Sequence, residues 1–425
     1  MIDLKLIREN ADFVRKNYEK RQDEKLIISL DKIQETDRRW RAAKYELDQL
    51  ISQKNNISAD INRLRKEGKD INAKLAEMKS LPSKVVEKQK EEAELHTELT
   101  RGLMRLPNLL DESVPYGKDG TQNPVVRTVG KATKPKHELL PHAEFAEKLG
   151  IADFERSAKI SGGGHYFLLG DLALLNQALI RYAVESLVEK DYLFVEPPLM
   201  LKREAYEGVT DLSDFENVMY KIEGEDQYLI ATSEHPLCAM WKDDVIEESK
   251  LPIRLVGLSP CFRKGIGAHG IDERGLFRRH MFFKVEQVII CKPEDSQKLH
   301  EELIANSEEL FKGLGIPYHV INICTGDIGT VAAKKYDIEA WMPRTQEYKE
   351  VVSGSNCTDY QARRLNIRYG KEGGKKELCH TLNCTGIATS RALVAILENH
   401  QQSDGTLLVP EALQKYMGKK KRIGP

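Results

Sequence analysis

Apolar residues recur in alternating steps of three and four across residues 33–64, and this repeat limits the possible folds more than any other feature. The run RKEGKD, residues 65–70, interrupts the repeat with charges and with Gly68. A second apolar series follows across residues 71–106. Alternating steps of three and four are typical of the seam between two packed helices, so the sequence predicts a long antiparallel hairpin. Pro82 should kink or break the returning helix.

The predicted hairpin is too long to be buried in a compact domain. A helix of about 30 residues extends about 45 Å, so the hairpin should project as an arm. A dimerisation coiled coil or a scaffold is a second interpretation, beside an arm that binds RNA. Residues 1–18 predict one separate helix at the root of the arm. Residues 106–124 are rich in Pro, Gly and Asp and predict a linker.

The composition narrows the class of protein. The 425 residues carry a formal net charge of -1, which argues against unspecific binding of nucleic acid over the whole surface. The first ten residues carry charges and no long apolar stretch, so we expect neither a signal peptide nor a membrane anchor, and a cytoplasmic location. The 7 cysteines include no CxxC pair, which indicates reduced, structural thiols rather than a zinc site.

Helical and extended patterns follow each other irregularly in the remainder of the chain. Residues 173–192 and 295–315 predict helices, whereas residues 193–200, 226–234 and 280–291 predict extended chain. Such a mixture favours an antiparallel sheet flanked by helices over a parallel, doubly wound sheet. The predicted fold class is α+β, with an N-terminal antiparallel coiled-coil arm and an antiparallel sheet flanked by helices. The sequence contains no GxxxxGK[ST] phosphate loop.

A basic, glycine-rich stretch is CFRKGIGAHGIDERGLFRRHMFFKVEQ, residues 261–287. Its glycines and cations indicate either a solvated loop or a close approach to an anion. In the strand that follows, alternation puts Phe282, Lys284 and Glu286 on one face. A ring can stack on a base and a carboxylate can hold an ammonium group. Alternatively, Phe282 belongs to the core and Glu286 pairs with Lys284.

Residues 378–401 predict a strand, a short turn and a helix. Arg391 shares a helix face with apolar residues, where a guanidinium needs an anion, either a carboxylate or a phosphate. Asn383 and Thr385 precede the helix and could be turn or cap residues.

Two further stretches carry oxygen ligands. ATSEHP, residues 231–236, ends a predicted strand with hydroxyls and a carboxylate. Glu350 and Ser353 lie three residues apart and could hold a hard cation or a hydroxyl. Together with the arginine clusters, these stretches indicate a nucleotide that is held by arginines on an antiparallel sheet.

In their order and spacing these stretches resemble the seryl-tRNA synthetases, a family of class II aminoacyl-tRNA synthetases. The resemblance covers nearly the whole chain. It rests on MIDLKLIREN, the coiled-coil hairpin, SVPYGKDG, DFERSAKISGGGHYFLLGD, ATSEHP, the basic stretch, SGSNCTDYQARRLNIRYG and TLNCTGIATSRALVAILENHQ.

The resemblance implies two domains and a two-step reaction. Residues 1–110 would form a helical coiled-coil arm that binds tRNA, and residues 111–425 the class II catalytic domain. L-serine and ATP would give seryl-adenylate, from which the seryl group is transferred to the 3′ end of serine tRNA, with selenocysteine tRNA as a possible second acceptor. Residues 173–200 would form a homodimer interface. Mg²⁺ would accompany ATP, and no membrane partner is implied.

The resemblance also implies the residues of the site. The catalytic residues would be Arg263, Arg391 and Glu286. Serine would be bound by Thr232, Ser233, Glu234, Arg263, Glu286, Asn383 and Thr385. ATP would be bound by Arg263, Lys264, Gly265, Arg278, Arg279, Phe282, Glu350, Val351, Val352, Ser353 and Arg391. The metal ligands for Mg²⁺ would be Glu350 and Ser353.

Three positions depart from the family pattern. Gly265 stands where family members usually have a glutamate that recognises the adenine amino group. Met281 replaces a usual glutamine, and Ser390 replaces a common glycine. A hydrogen bond to a charged group contributes roughly 1.5 to 3 kcal/mol, so the missing glutamate should weaken ATP binding unless another group compensates.

Two other functions were weighed against an active synthetase. A homologue that loads a carrier protein would lack the long hairpin. A catalytically silent paralogue that serves as an RNA-binding or scaffold protein has only Gly265 in its favour. The basic tail at residues 419–422 could contact phosphates or could be a disordered, solvated end.

Overall fold

The computed structural model of the protein describes residues 1–211, 217–265 and 275–424. The middle of the basic stretch, residues 266–274, therefore lies outside the described residues. The chain divides into two compact units, the first spanning Met1–Pro107 and the second beginning at Asn108.

The first unit is helical throughout its regular structure. Its helices are α1 Leu4–Glu9, α2 Ala11–Glu19, α3 Glu24–Lys66, α4 Asn72–Lys79 and α5 Leu81–Arg105. Helix α3 packs along α5, which confirms the predicted hairpin. The apolar series supplies the buried seam, with Ile33, Ala43, Leu47, Ile57 and Ile61 from α3 and Leu81, Val85, Leu95, Leu99 and Leu103 from α5. Each helix has one apolar stripe, and the two stripes face each other and are buried in the seam.

Local chemistry sets the ends of these helices. The carboxylate of Asp23 accepts a hydrogen bond from the Lys25 amide and caps α3. Pro82 lies in the first turn of α5, where no amide hydrogen is needed, and the predicted break occurs at Ser80. The prediction of one helix over residues 1–18 is wrong, because Asn10 ends α1 and its side chain caps α2.

The second unit contains the strands and the remaining helices. Its strands are β1 Val125–Val129, β2 Ala152–Asp153, β3 Phe167–Leu168, β4 Leu193–Val195, β5 Met200–Leu201, β6 Tyr228–Leu229, β7 Val245–Glu247, β8 Ile253–Phe262, β9 Met281–Cys291, β10 Tyr318–Asn322, β11 Lys334–Met342, β12 Glu347–Asn356, β13 Arg368–Gly370, β14 Glu377–Leu378, β15 His380–Ala388, β16 Leu407–Leu408 and β17 Arg422–Ile423. The helices are α6 His142–Lys148, α7 Glu155–Ser161, α8 Gly170–Val188, α9 Arg203–Val209, α10 Glu234–Ala239, α11 Ser296–Gly313, α12 Tyr360–Leu365, α13 Thr389–Asn399 and α14 Glu411–Gln414. Single 3₁₀ turns span Gly120–Gln122, Glu248–Lys250, Pro293–Asp295 and Lys415–Met417.

The main sheet has 8 strands in the order β1-β10-β11-β12-β15-β9-β8-β4. Each neighbouring pair is antiparallel except β4 with β8, which is parallel. The predicted antiparallel sheet is therefore confirmed. Its core lies on the face that packs against α8, α11 and α13, where aliphatic side chains such as Val285, Ile289 and Leu303 are fully buried or nearly so.

A bulge in β12 decides which residues share a face of the sheet. Ile338 pairs with Val352 and Glu339 pairs with Glu350, so Val351 is an extra residue on β12. Ser353 pairs with Asp337, two residues before Glu339 on β11. Because residues two apart on a strand share a face, the bulge puts Glu350 and Ser353 on the same side. A regular strand would separate residues at an offset of three.

The predicted linker, residues 106–124, is ordered and packed. The Asn108 amide donates to the carbonyl of Thr330 at 2.7 Å, and the Asp111 amide donates to that of Ala333 at 3.0 Å. Leu110 is buried in an apolar cluster of the second unit. The segment therefore belongs to the second unit from Asn108 onward rather than connecting two units freely.

The basic tail is also held in place, so its interpretation as a disordered end is wrong. Lys420 pairs with Asp171 at 2.6 Å and Arg422 with Asp404 at 2.9 Å. Ile423 is buried in β17, which pairs with β16. Two of the four cations thus have carboxylate partners within the chain.

The seven cysteines are buried free thiols, and all of them lie in the described ranges. Burial raises the pKa of Cys379 to about 12, and it raises the pKa of Cys261 as well. Among the described helices, none is long and apolar enough to cross a membrane.

Candidate active site

A cleft of about 700 Å³ lies over the face of the main sheet that carries Phe282, Lys284 and Glu286. It is lined by most of the residues that the sequence predicts for the site. These are Thr232, Glu234, Arg263, Lys264, Gly265, Arg278, Arg279, Phe282, Glu286, Glu350, Val351, Ser353, Asn383, Thr385 and Arg391. The pleat of β9 explains why Phe282, Lys284 and Glu286 lie together, because alternate residues of one strand point to the same face.

Two of the predicted residues are not among those that line the cleft. Ser233 is fully buried and its hydroxyl donates to the carbonyl of Gly257 at 3.3 Å. Val352 lies on the core side of the bulge in β12 and is 1% exposed. The cleft is also lined by residues that the sequence did not predict, such as Lys335.

Glu286 lies at one end of the cleft with no exposed surface. Its carboxylate pairs with Lys284 at 2.6 Å and accepts hydrogen bonds from Asn383 Nδ2 at 3.1 Å and Thr385 Oγ1 at 3.3 Å. The pairing of Glu286 with Lys284, considered as the structural alternative, is therefore present within the cleft itself. Asn383 and Thr385 lie inside β15, which runs directly into α13, so the predicted turn between strand and helix does not form.

Glu234 is the first residue of α10, and its side chain faces the same end of the cleft. The strand predicted over residues 226–234 is confined to β6, Tyr228–Leu229, so ATSEHP begins a helix instead of ending a strand. Burial raises the pKa of Glu234 to about 7, and the charge of Glu286 adds to this effect. Lys284, and a hydrogen bond donated by Gln361, oppose it.

Arg263 lies immediately after β8, between the two ends of the cleft. Its Nε donates to the carbonyl of Ala231 at 3.3 Å, and its guanidinium lies 5.5 Å from the centre of the Phe282 ring. The backbone amide of Arg263 donates to the carbonyl of His280. Arg263 lines the cleft, and a guanidinium there suits a carboxylate or a phosphate.

Arg391 lies at the other end of the cleft, in the first turn of α13. Its guanidinium pairs with the Glu350 carboxylate at 3.0 Å, donates to the Glu350 carbonyl at 2.8 Å, and lies 5.1 Å from the Phe277 ring centre. Burial disfavours the charge of Glu350, but Arg391, Lys335 and Arg263 outweigh it and lower the pKa. Glu350 is thus a carboxylate surrounded by cations.

Two further charged residues, Lys335 and Asp337, lie beneath this end of the cleft. No sequence motif contains them, so they were not predicted. They pair at 3.2 Å, and register places Asp337 directly opposite Ser353. Burial raises the pKa of Asp337 to about 7; Lys335 opposes this rise, and Glu350 adds to it.

The side chain of His280 packs next to Gly265. The Gly265 amide donates to His280 Nδ1 at 3.2 Å, and a Cβ atom at position 265 would lie 3.0 Å from His280 Nε2. The His280 ring stacks on that of His165 at 5.0 Å, and burial lowers the pKa of His165. A side chain at position 265 would therefore need a small shift of His280.

The remaining predicted cations line the same wall. Arg278 and Lys264 are exposed, whereas Arg279 is half-buried and donates to the carbonyl of His165 at 3.4 Å. Burial lowers the pKa of Arg279, which remains charged at any physiological pH. The cleft thus joins a buried carboxylate pocket to a wall of cations.

Comparison with known proteins identifies this arrangement. The family model of the seryl-tRNA synthetase N-terminal domain matches residues 1–110, and that of the class II tRNA synthetase core domain (G, H, P, S and T) matches residues 218–400. A serine–tRNA ligase of Methanocella arvoryzae is 54% identical over 98% of this chain and 99% of its own length. The chain belongs to the seryl-tRNA synthetase family. Its activity is the ATP-dependent ligation of serine to tRNA.

Solved structures of the family agree along the whole chain. The seryl-tRNA synthetase of Pyrococcus horikoshii, complexed with ATP, is 45% identical with a TM-score of 0.95, and each chain covers 100% of the other. A cytoplasmic serine–tRNA ligase of Naegleria fowleri, in complex with AMP, is 38% identical with a TM-score of 0.87 over 100% of this chain and 99% of its own. The predicted family, fold class and enzyme class are therefore confirmed.

Proposed function

We propose that serine is activated in the cleft, with its ammonium and hydroxyl groups at the Glu286 end and the triphosphate of ATP at the Arg391 end. The observation that carries this proposal is that Arg263 lines the cleft and that its charge acts both on Glu234, at the buried carboxylate pocket, and on Glu350, beside Arg391. The serine carboxylate and the α-phosphate must meet at one point, and Arg263 is the cation between the two ends. Both ends of the reaction are thus served by residues of one cleft.

The pocket at the Glu286 end suits serine. Glu286 and Glu234 would receive the ammonium group, while Asn383 and Thr385, which already contact Glu286, would bind the hydroxyl. Alanine lacks the hydroxyl and would leave these buried polar groups unpaired, which gives strong discrimination. Threonine would be excluded by its additional methyl group.

The reaction in the cleft needs charge neutralisation and alignment. A serine carboxylate oxygen would form a bond to the α-phosphorus while the bond to the pyrophosphate oxygen breaks, and the negative charge that develops needs nearby cations. Arg263 and Arg391 are placed to neutralise it, with Arg278 and Lys264 along the same wall. Phe282 would stack on the adenine ring. In the second step a hydroxyl of the terminal tRNA adenosine would attack the seryl carbonyl and release AMP.

The residues near Arg391 fit Mg²⁺ bound with ATP. Glu350 supplies a carboxylate whose pKa is lowered, and Ser353 supplies a hydroxyl on the same face because of the bulge in β12. Oxygen ligands of this kind are those that Mg²⁺ prefers. The bound ion would neutralise charge on the phosphates of ATP.

The decisive test of activation is serine-dependent exchange of pyrophosphate into ATP. We expect exchange with serine and none with alanine or threonine at the same concentration. Exchange with a different amino acid, or none with any, would contradict the assignment of the pocket.

We assign tRNA binding to the hairpin of α3 and α5. Pairs between the two helices include Trp40 with Glu92 at 2.7 Å and Lys88 with Glu46 at 2.6 Å. Replacing residues 48–86 with a short glycine-serine turn would retain both pairs and remove only the far part of the hairpin. We expect unchanged pyrophosphate exchange and a loss of serine-tRNA charging, and undiminished charging would refute the assignment.

Homodimerisation through α8 and the edge strand β4 is supported by exposed apolar side chains. Leu174 is 56% exposed, Leu193 64% and Phe194 39%. Large apolar side chains clustered on a surface mark interaction sites, and the open edge of β4 can pair with another strand. Sedimentation should give a dimer for the native chain and a monomer for Leu193→Asp. We also propose a cytoplasmic location, where ATP and tRNA meet.

A further inference from the structure

Gln361 of α12 is buried beneath the serine end of the cleft, with 1% of its surface exposed. Its Nε2 donates to Glu234 Oε1 at 2.8 Å and to the carbonyl of Val209 at 2.9 Å. Its Oε1 accepts a hydrogen bond from Thr381 Oγ1 at 2.6 Å. All the hydrogen-bonding capacity of the amide is therefore directed at three separate elements, α9, α10 and β15.

The orientation of this amide follows from its partners. A backbone carbonyl only accepts hydrogen bonds, so the Val209 contact requires the nitrogen of Gln361 on that side. The second hydrogen of the same nitrogen then points at Glu234. A buried amide that holds an ionised carboxylate forms a charge-assisted hydrogen bond, which is shorter and stronger than a neutral one.

We propose that Gln361 is a positioning residue for serine recognition, which holds the Glu234 carboxylate in the orientation that receives the substrate ammonium group. This inference rests on the proposed function, because it takes Glu234 as part of the serine pocket. Gln361 itself does not line the cleft, so it reaches the serine pocket through Glu234, while its contacts with Val209 and Thr381 fix the amide in place.

The surroundings of Glu234 explain why such a holder is needed. The charged and titratable groups that act on Glu234 or on its neighbours are Glu286 and Lys284 of β9, Arg263 after β8, Tyr206 of α9, His235 and Cys238 of α10, and Cys357 before α12. His235 is neutral, since burial lowers its pKa to about 3. The charge of Glu286 repels that of Glu234, so without Gln361 the Glu234 carboxyl would protonate more easily and would be free to turn away.

The test compares two substitutions at this position in pyrophosphate exchange with the full-length protein. Gln361→Met retains the size of the side chain and removes its hydrogen bonds to Glu234, Val209 and Thr381, while Gln361→Glu retains an acceptor for Thr381 and places a second carboxylate against Glu234. We expect the KM for serine to rise about ten- to a hundredfold in Gln361→Met, as for the loss of one hydrogen bond to a charged group, with the KM for ATP unchanged. Gln361→Glu should raise it further.

The pH profile separates positioning from a purely structural role. Because Gln361 lowers the pKa of Glu234, the pH below which the KM for serine rises should move upward in the order native, Gln361→Met, Gln361→Glu. A matched control is Gln401→Met, since Gln401 is also buried but hydrogen-bonds to Leu140, away from the cleft. The control should leave the pH profile and the KM for serine unchanged.

A double substitution completes the design. Added to Glu234→Gln, which removes the charge, Gln361→Met should have little further effect on the KM for serine. Equal rises in the KM for serine and for ATP, or additive effects in the double variant, would overturn the inference while leaving the proposed function intact. Absence of serine-dependent exchange in the native chain would instead overturn the proposed function itself.

Discussion

The two ends of the cleft are built differently. At the serine end, Glu286 is completely buried and bound by Lys284, Asn383 and Thr385 before any substrate is present. At the nucleotide end, Arg391 and Glu350 form one ion pair in which the side chains are 29% and 43% exposed. Buried charges depend on their partners, whereas partly exposed ones are screened by solvent. The serine end is therefore a preformed pocket, and the nucleotide end can exchange its ion pair for contacts to phosphate.

The largest effect that separates the two ends is expected from Glu286→Gln. Removal of one partner of a buried ion pair typically costs about 3 to 5 kcal/mol because the other charge is left unpaired. We expect kcat/KM for serine to fall by about two to four orders of magnitude, while the affinity for ATP changes little. Pyrophosphate exchange and ATP binding by calorimetry measure the two quantities separately. An equal loss of ATP affinity would show that the ends are not independent.

A smaller effect, confined to the nucleotide end, is expected from Arg391→Lys. Lysine retains the charge but loses the fork of the guanidinium, which contacts both the carboxylate and the carbonyl of Glu350. We expect kcat/KM for ATP to fall about ten- to a hundredfold, as is typical when one charged contact to a transferring phosphate is weakened, and the KM for serine to remain within about twofold. Arg344→Lys is a suitable control, because Arg344 also pairs with a carboxylate, Glu398, but does not line the cleft. A serine-specific defect in Arg391→Lys would contradict the division of the cleft.

The pH dependence of serine binding should expose the same contrast with a still smaller effect. Glu234, with its pKa raised to about 7, is partly protonated at neutral pH and loses its attraction for the ammonium group as the pH falls further. Glu350 has a lowered pKa and stays ionised over the same range. Between pH 8 and pH 6 the KM for serine should therefore rise several-fold, as expected for one group that titrates near neutrality. The KM for ATP should change less, because Asp337, whose pKa is also about 7, lies beneath the nucleotide end paired with Lys335. A constant KM for serine would mean that Glu234 does not contact the ammonium group.

Local sequence patterns predicted helices and strands, but they could not predict an irregularity such as the bulge in β12. The seam of α3 and α5 and the faces of β9 follow directly from spacing, since each depends only on residues a few positions apart. The extra residue Val351 in β12 depends on pairing with β11, so the shared face of Glu350 and Ser353 had no local signal.

The site residues also fall into two groups, those that were predicted from sequence motifs and those whose role depends on contacts between distant parts of the chain. The residues in the quoted motifs were predicted from the family resemblance. All of them line the cleft except Ser233 and Val352, which are buried below its surface. Lys335 and Gln361 were missed because their roles come from contacts across the sheet, Gln361 with Glu234 and Lys335 with Asp337. A buried glutamine has no sequence signature, and only the fold brings it to its partner.

The last test concerns Gly265, which stands in the nucleotide wall at the position where the family resemblance predicts a glutamate. The Cβ atom of any other residue here would lie 3.0 Å from His280 Nε2, closer than ordinary contact, so His280 must shift by a few tenths of an ångström. Gly265→Ala isolates this crowding and should weaken ATP binding slightly. Gly265→Glu adds a carboxylate that can accept from the adenine amino group, and relative to Gly265→Ala it should tighten ATP binding about tenfold, the lower end for a hydrogen bond to a charged group. Calorimetry with ATP and with GTP measures both steps, since only a contact to the amino group favours ATP. If Glu and Ala behave alike, another group already occupies the adenine amino group, and the nucleotide end is more completely preformed than the ion pair of Arg391 suggests.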